Sequence, residues 1–317
     1  MVPSAATAQA LAHNGRRMSG VDEIAHDYVS ANGLRFHVAT CGVGDRLALC
    51  LHGFPECWFS WRYQMPLLAR LGYRVWAPDL RGYGDSERPP HMQDYAIERL
   101  LDDVGGLIDA SRARSTLLLA HDWGAVIAWL FATRRVRPLD RLVIMNVPHP
   151  ALVDRKLVSW RQLLRFWYVL IFQIPWLPEK LLGAQHCRRI GEVFRSSAVD
   201  ASRFPDDVLQ VYRDSAARPG ALTAMLNYYR ALVRGGGGQR QAALGYPVIE
   251  TPTLMVWGEE DVALEKSTTY GTDRYVADLT VRYLPRVSHW VQQEAPDTVN
   301  AMLEAWLTGA PVPEATA

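Results

Sequence analysis

The chain has 317 residues, 49% of them hydrophobic and 21% charged, which supplies a sizeable core, excludes disorder, and fits about two domains or one large α/β unit. Its 34 Lys and Arg stand against 33 Asp and Glu for a net charge of +1, which excludes the broad basic field of a nucleic-acid binder. Trp (11) outnumbers Phe (8), which points to an apolar, aromatic-lined cavity without locating it.

Composition marks residues 1–24 as a flexible N-terminal segment. It holds no apolar run of the kind a secretion signal needs, and Arg16-Arg17 lead into polar residues. Strands are predicted over 34–40, 46–52 and 73–79, the last two separated by a helix-like stretch over 57–72. Ile97, Leu100, Leu101, Val104, Leu107 and Ile108 recur at helical spacing and put one apolar face on a sheet. A strand over 115–121, a helix over 123–135 and a strand over 141–147 follow. Nearly continuous apolar strands alternating with helices predict a mostly parallel sheet covered on both faces.

The rhythm changes at Pro148-His149-Pro150, after which only helical patterns appear up to residue 245. The run Gly235–Gly238 reads as a flexible return linker. Alternation then resumes with a strand over 253–258, a helix-like stretch, a strand over 279–285 and a helix over 296–307. The expected plan is an α/β core of residues 25–148 and 246–317, interrupted by a helical insertion over 149–245. The longest apolar stretch, Phe166–Ile174, is broken by Gln173 and closed by Pro175, too short to span a bilayer. Cys41, Cys50, Cys57 and Cys187 have no metal spacing and read as small buried hydrophobes in a reducing compartment. The default expectation is a soluble cytoplasmic protein.

Chemistry first shows in Ala120-His121-Asp122-Trp123-Gly124, where a strand turns directly into a helix. Small residues around the central position allow a tight elbow that lifts one side chain above the sheet edge, as in G-x-S-x-G but with Asp in place of Ser. The competing reading makes Asp122 merely the N-cap of the following helix. Asp261 follows the next core strand and His289 the last one. The order nucleophile, acid, histidine, each just past the C-terminal end of a strand, favours a catalytic set.

Four segments carry a resemblance to a known family: His52-Gly53-Phe54-Pro55-Glu56, Asp79-Leu80-Arg81-Gly82-Tyr83-Gly84-Asp85-Ser86, His121-Asp122-Trp123-Gly124 and Ser288-His289-Trp290-Val291-Gln292-Gln293-Glu294. Over nearly all of residues 25–310 the chain resembles the epoxide hydrolases of the α/β-hydrolase superfamily. The resemblance implies an α/β-hydrolase fold whose insertion, 149–245, is a helical cap over the site. A carboxylate that attacks a saturated carbon gives an alkyl ester that water can cleave, so Asp122 points away from esterase chemistry and toward epoxide opening or halide displacement. His289, oriented by Asp261, is then the base that activates water. The family pattern favours Asp261 over Glu259 and Glu260, which read as surface residues.

The same resemblance implies the backbone N–H groups of Phe54 and Trp123 as the oxyanion hole, and Tyr168 and Tyr229 as the ring-opening phenols, with Tyr228 the adjacent alternative. Trp58, Trp167, Phe172 and Trp290 are the expected pocket residues, and Trp61 and Trp176 lie near them in the sequence. Asp79, Arg81 and Asp85 look like loop-fixing residues, and His52 and His149 like structural ones. Ala120 and Ser288 depart from the glycines common in the family, a modest crowding. No cofactor and no metal are expected. The expected partners are a small apolar epoxide and water, without nucleic acid or a membrane span, for a monomer or homodimer. A dehalogenase is the same-class alternative: Trp123 suits it, whereas Phe54 stands where a halide-binding Asn is usual. A non-catalytic binding member of the fold is a further alternative, one that would have lost a triad residue.

Overall fold

Apolar runs of five to eight residues, separated by glycine-, proline- and charge-rich turns, collapse into one central sheet. The computed structural model describes residues 23–153 and 159–315. Its strands are β1 (Ala25–Ala31), β2 (Leu34–Cys41), β3 (Arg46–Leu51), β4 (Arg74–Pro78), β5 (Ser115–His121), β6 (Arg141–Met145), β7 (Thr253–Gly258) and β8 (Leu279–Leu284). They lie in the order β1-β2-β4-β3-β5-β6-β7-β8. β2 is antiparallel to β1 and β4, and the other pairs are parallel. The central strands β3, β5, β6 and β7 are buried almost end to end, as strands covered on both faces must be.

The expected strands all form, and one more joins them. β1 is largely exposed and pairs only with β2, so its polar sequence lacks the apolar run that marks the others. Its signal is the turn: Asn32 (φ 46°) and Gly33 (φ 74°) connect Ala31 to Leu34 in the two-residue hairpin that an Asn-Gly pair specifies. Residues 1–22 of the expected flexible segment lie outside the described residues.

Helices α1 (Gln64–Arg70), α2 (Ile97–Ser111), α3 (Trp123–Thr133), α10 (Val291–Glu294) and α11 (Pro296–Thr308) belong to the sheet-bearing part. α3 is apolar on every side and almost wholly buried. Between β6 and β7 the described residues form α4 (Trp160–Arg165), α5 (Trp167–Phe172), α6 (Leu177–Ser197), α7 (Asp206–Ala216), α8 (Ala221–Arg234) and α9 (Gly237–Ala243), with no strand among them. None of the described helices is long and apolar enough to cross a membrane.

Two expectations are corrected. The Gly235–Gly238 run is no flexible linker: Gly235 caps α8, Gly236 turns at φ 67°, and Gly237 and Gly238 open α9. A Cβ on Gly235 would meet the carbonyl of Ala231 at 2.4 Å, so glycine serves a close backbone approach there. The stretch between β7 and β8 is loop with two short 3-10 turns, 266–269 and 272–274, rather than a helix.

Candidate active site

β5 passes into α3 through Asp122, whose backbone sits at φ 47°, ψ −122°. A non-glycine residue there stores strain that the surroundings must hold. Glycine provides the room: a Cβ on Gly124 would lie 2.3 Å from the carbonyl of Leu51, and one on Gly53 would lie 2.3 Å from Asp122 Oδ1. Ala120 sits fully buried within β5, paired with Leu51 and Ile144. The elbow puts the Asp122 carboxylate at the N-terminus of α3, where free N–H groups and the helix dipole favour negative charge. Phe54 N–H donates to Asp122 Oδ1 at 2.6 Å. Trp123 is the first residue of α3, so its N–H is one of the donors without an intrahelical acceptor.

His289 lies beside this carboxylate, with Nε2 3.5 Å from Asp122 Oδ2. Its Nδ1 is 2.6 Å from Asp261 Oδ2, which fixes Nδ1 as a donor and turns Nε2 toward Asp122. Asp261 is itself held from three sides. The N–H groups of Ala263 and Leu264 donate to Oδ1 at 2.7 and 2.9 Å, and Asn146 Nδ2 donates to Oδ2 at 2.8 Å. Glu259 instead pairs with Lys266 at 2.6 Å, and Glu260 is exposed.

Asn146 was not singled out from the sequence. It follows β6 with φ 49°, a conformation that Asn tolerates better than most residues, and its Oδ1 accepts the N–H of Gly258 at 2.9 Å. The available signal was one amide ending the apolar run of β6 at the same sheet edge as Asp122 and Asp261.

Charges in this cluster sustain one another. Burial would raise the Asp122 carboxyl, but the hydrogen bond and charge of His289, the His121 charge and the Phe54 N–H hold it below its ordinary value. Asp261 follows the same pattern: burial opposes ionisation, and His289, Asn146 and the Leu264 N–H outweigh it. Burial would lower His289, but Asp261 and Asp122 together raise it well above the ordinary imidazole value.

Beneath the elbow, His121 Nε2 donates to the carbonyl of His289 at 2.8 Å, and its Nδ1 is 2.9 Å from Glu56 Oε2. Gly53 N–H and the amides of Gln292 and Gln293 donate to Glu56. Gln293 Oε1 accepts from Arg62 (2.8 Å) and from the Tyr212 hydroxyl of α7 (2.5 Å). One buried chain of hydrogen bonds therefore ties the insertion to the histidine loop.

Above the elbow, a cavity of about 840 Å³ opens between the sheet edge and the inserted helices. Asp122, His289, Phe54, Tyr168, Tyr229, Phe172, Trp167 and Trp290 are among its walls. Tyr168 and Tyr229 stand edge to face with ring centroids 6.0 Å apart, and Tyr229 also meets Trp123 at 5.0 Å. Burial pushes both phenols up, with the Asp122 charge adding to the effect, so both keep their protons near neutrality. Tyr228 turns the other way, and its hydroxyl donates to the carbonyl of Arg81 at 2.8 Å.

Trp58 is a correction. It is buried against His26 (4.8 Å) and Phe59 (5.5 Å) and does not line the cavity. Its backbone N–H is bound to Asp79 Oδ1 at 2.9 Å, which turns this stretch into the core beside β4. Trp61 is wholly buried and Trp176 is exposed; neither lines the cavity. Asp79 also accepts from His37 and from the Asp85 N–H, Arg81 pairs with Asp103, and Asp85 pairs with Arg218 of the insertion. His52 is bound to Leu80 N–H and to the carbonyl of Gly53. His149 stacks on Tyr275, and burial lowers it to about 4.

Residues 49–296 match the family described as alpha/beta hydrolase fold. The chain is 35% identical over 290 residues to the AB hydrolase superfamily protein YfhM of Bacillus subtilis, covering 90% of this chain and 99% of that one. It is 35% identical over 291 residues to human epoxide hydrolase 4, covering 89% and 78%. Among solved structures, an epoxide hydrolase of Bacillus megaterium with a bound inhibitor superposes with a TM-score of 0.82 at 28% identity, covering 89% of this chain and 100% of that one. Epoxide hydrolase A of Mycobacterium thermoresistibile gives 0.78 at 30% identity, covering 92% and 100%.

Proposed function

The chain belongs to the α/β-hydrolase fold family and, within it, to the epoxide hydrolases, and from that premise we propose that it adds water to an epoxide through a covalent ester on Asp122. Asp122 attacks a ring carbon, a C–O bond forms to the carboxylate, and the ring C–O bond breaks. The leaving oxygen takes a proton from the phenol pair Tyr168 and Tyr229. Phenols raised by burial remain protonated until that oxygen develops charge, so they suit this transfer.

Esterification then removes the Asp122 anion from beside His289. That anion is one of the groups raising His289, so its loss lowers the imidazole and turns it into a base. His289 takes a proton from water, the water oxygen attacks the ester carbonyl of Asp122, and Asp261 stabilises the imidazolium that results. The tetrahedral oxyanion lies against the N–H groups of Phe54 and Trp123. Collapse breaks the ester C–O bond of the substrate: the imidazolium gives its proton to the departing oxygen to complete the vicinal diol, and the proton left on the Asp122 carboxyl returns through solvent to the phenolate, which restores carboxylate, imidazole and phenol.

The observation that carries this reading is the Asp122–His289–Asp261 relay set under two cavity-facing phenols. Halide departs without a proton, so a dehalogenase has no use for that pair. Every group in the scheme comes from one chain, so it operates in a monomer or in each half of a homodimer. Cys41, Cys50, Cys57 and Cys187 are buried and in no disulfide, which suits the reducing cytoplasm as the enzyme's location. The test is diol formation from a panel of apolar epoxides by the wild type and by Asp122→Ala, with halide release from chloroalkanes as the counter-assay. Halide release without diol formation overturns the reading.

A further inference from the structure

α5 is apolar on both of its sides. The inward side carries Tyr168 and Phe172, which meet Tyr229 at 6.0 and 5.0 Å. The outward side exposes 63% of Trp167 and 71% of Leu170. Leu164 near the end of α4, and Ile174 and Trp176 just beyond α5, are exposed as well, so apolar side chains stay open to solvent along residues 164–176. A helix at a protein surface ordinarily turns polar residues to water, and a contiguous apolar patch of this kind marks a contact surface. Leu164 and Trp167 also line the cavity, so the patch runs into the rim of its mouth.

The helical segment that carries this face is more basic than the chain as a whole, although Arg188 is paired with Glu192 and Arg195 with Asp206. Residues 159–197 hold six Lys and Arg against two Glu, in a protein whose net charge is +1. Lys180 and Arg189 are exposed, and Arg189 lines the cavity. Exposed Trp and Leu framed by basic side chains is the pattern of a segment lying in a membrane interface, where indoles sit at headgroup level and cations meet anionic lipid. A two-fold contact between copies would press this positive face against itself. We propose that this face docks on an anionic bilayer surface and turns the cavity mouth toward the lipid. Docking stands apart from the epoxide reading; only its benefit, uptake of an apolar substrate from lipid, rests on that reading.

Vesicle flotation tests the proposal, using 1:1 phosphatidylglycerol–phosphatidylcholine against phosphatidylcholine alone, at low salt and in about 0.5 M salt. The wild type should float with the anionic vesicles, weakly with the neutral ones, and less in high salt. The double variant Leu170→Glu/Trp176→Glu should partition at least about tenfold less. It should still turn over a water-soluble epoxide, because neither residue lines the cavity. Lys180→Glu should weaken binding to anionic vesicles alone. A wild type that stays in solution at low salt overturns the proposal, as does a double variant that floats as well as the wild type. So does a dimer in sedimentation velocity that the double variant dissolves, without vesicle binding. Flotation by a protein that hydrolyses no epoxide would sink the epoxide reading and leave docking intact.

Discussion

Replacing Asn146 with alanine tests whether the acid of the relay is held in place by its neighbour. The amide bridges two elements: it donates to Asp261 Oδ2 at 2.8 Å and accepts from Gly258 N–H at 2.9 Å. Alanine leaves a buried backbone N–H without an acceptor, a loss of about 1–3 kcal/mol, and removes a bond to a charged group worth about 1.5–3 kcal/mol. Placing alanine at φ 49° adds about 1 kcal/mol. Asp261 keeps two N–H donors and His289, so the low end of each range applies, and roughly 3–5 kcal/mol in all is expected. At about 2 °C per kcal/mol for a chain of this size, Tm should fall by roughly 6–10 °C. Loss of the donor also lets the Asp261 carboxyl rise. Its folded pKa lies below the unfolded one, so its contribution to stability is present above the unfolded value and is lost as pH falls through the folded value. Both the acid limb of kcat/KM and the acid unfolding midpoint should therefore move to higher pH. Asn146→Asp keeps an acceptor for Gly258 but adds a second carboxylate beside Asp261, so it should lose more activity than stability. Differential scanning calorimetry and a pH–rate profile decide the matter. A Tm within a degree of the wild type and an unmoved acid limb would refute the reasoning.

Tyr168→Phe and Tyr229→Phe should each lower the rate of alkylation by about 10- to 100-fold, and the double change by more, as read by single-turnover kinetics. Tyr228→Phe loses only the bond to Arg81 and should cost about 1 kcal/mol of stability with nearly wild-type alkylation. His289 predicts the alkaline side of the stability profile. Its folded pKa is raised, so its contribution is full below the unfolded value of about 6.5 and is lost as pH rises through the folded value. The Tm gap between the wild type and His289→Gln should thus narrow above neutrality, and a gap that widens there would contradict the assigned sign.

What could be read from the sequence was local. The elbow and the buried strands each depend on a few adjacent residues, the order of the three catalytic candidates follows from placing each after its own strand, and apolar runs report strands that are covered on both faces. β1 escaped because a half-exposed edge strand carries no such run; its Asn32-Gly33 turn was the legible part. Asn146 escaped because its partners lie on β7 and the loop beyond, more than 100 positions away, and sequence spacing does not show cross-strand contacts. Tyr228 and Tyr229 differ by about 100° around α8, so one faces Arg81 and the other the cavity. Only the packing of the helix sets that phase. Trp58 was assigned to the pocket by nearness in the chain, whereas a bond from its backbone to Asp79 turns that stretch into the core.

A covalent ester on Asp122 can be caught by mass spectrometry of His289→Gln after brief exposure to an epoxide that the wild type hydrolyses. Without the base, alkylation proceeds and water is not activated, so the ester should accumulate. A mass increment equal to the epoxide is expected on the peptide that carries Asp122. An unmodified Asp122 peptide, or the same increment on another residue, would contradict it.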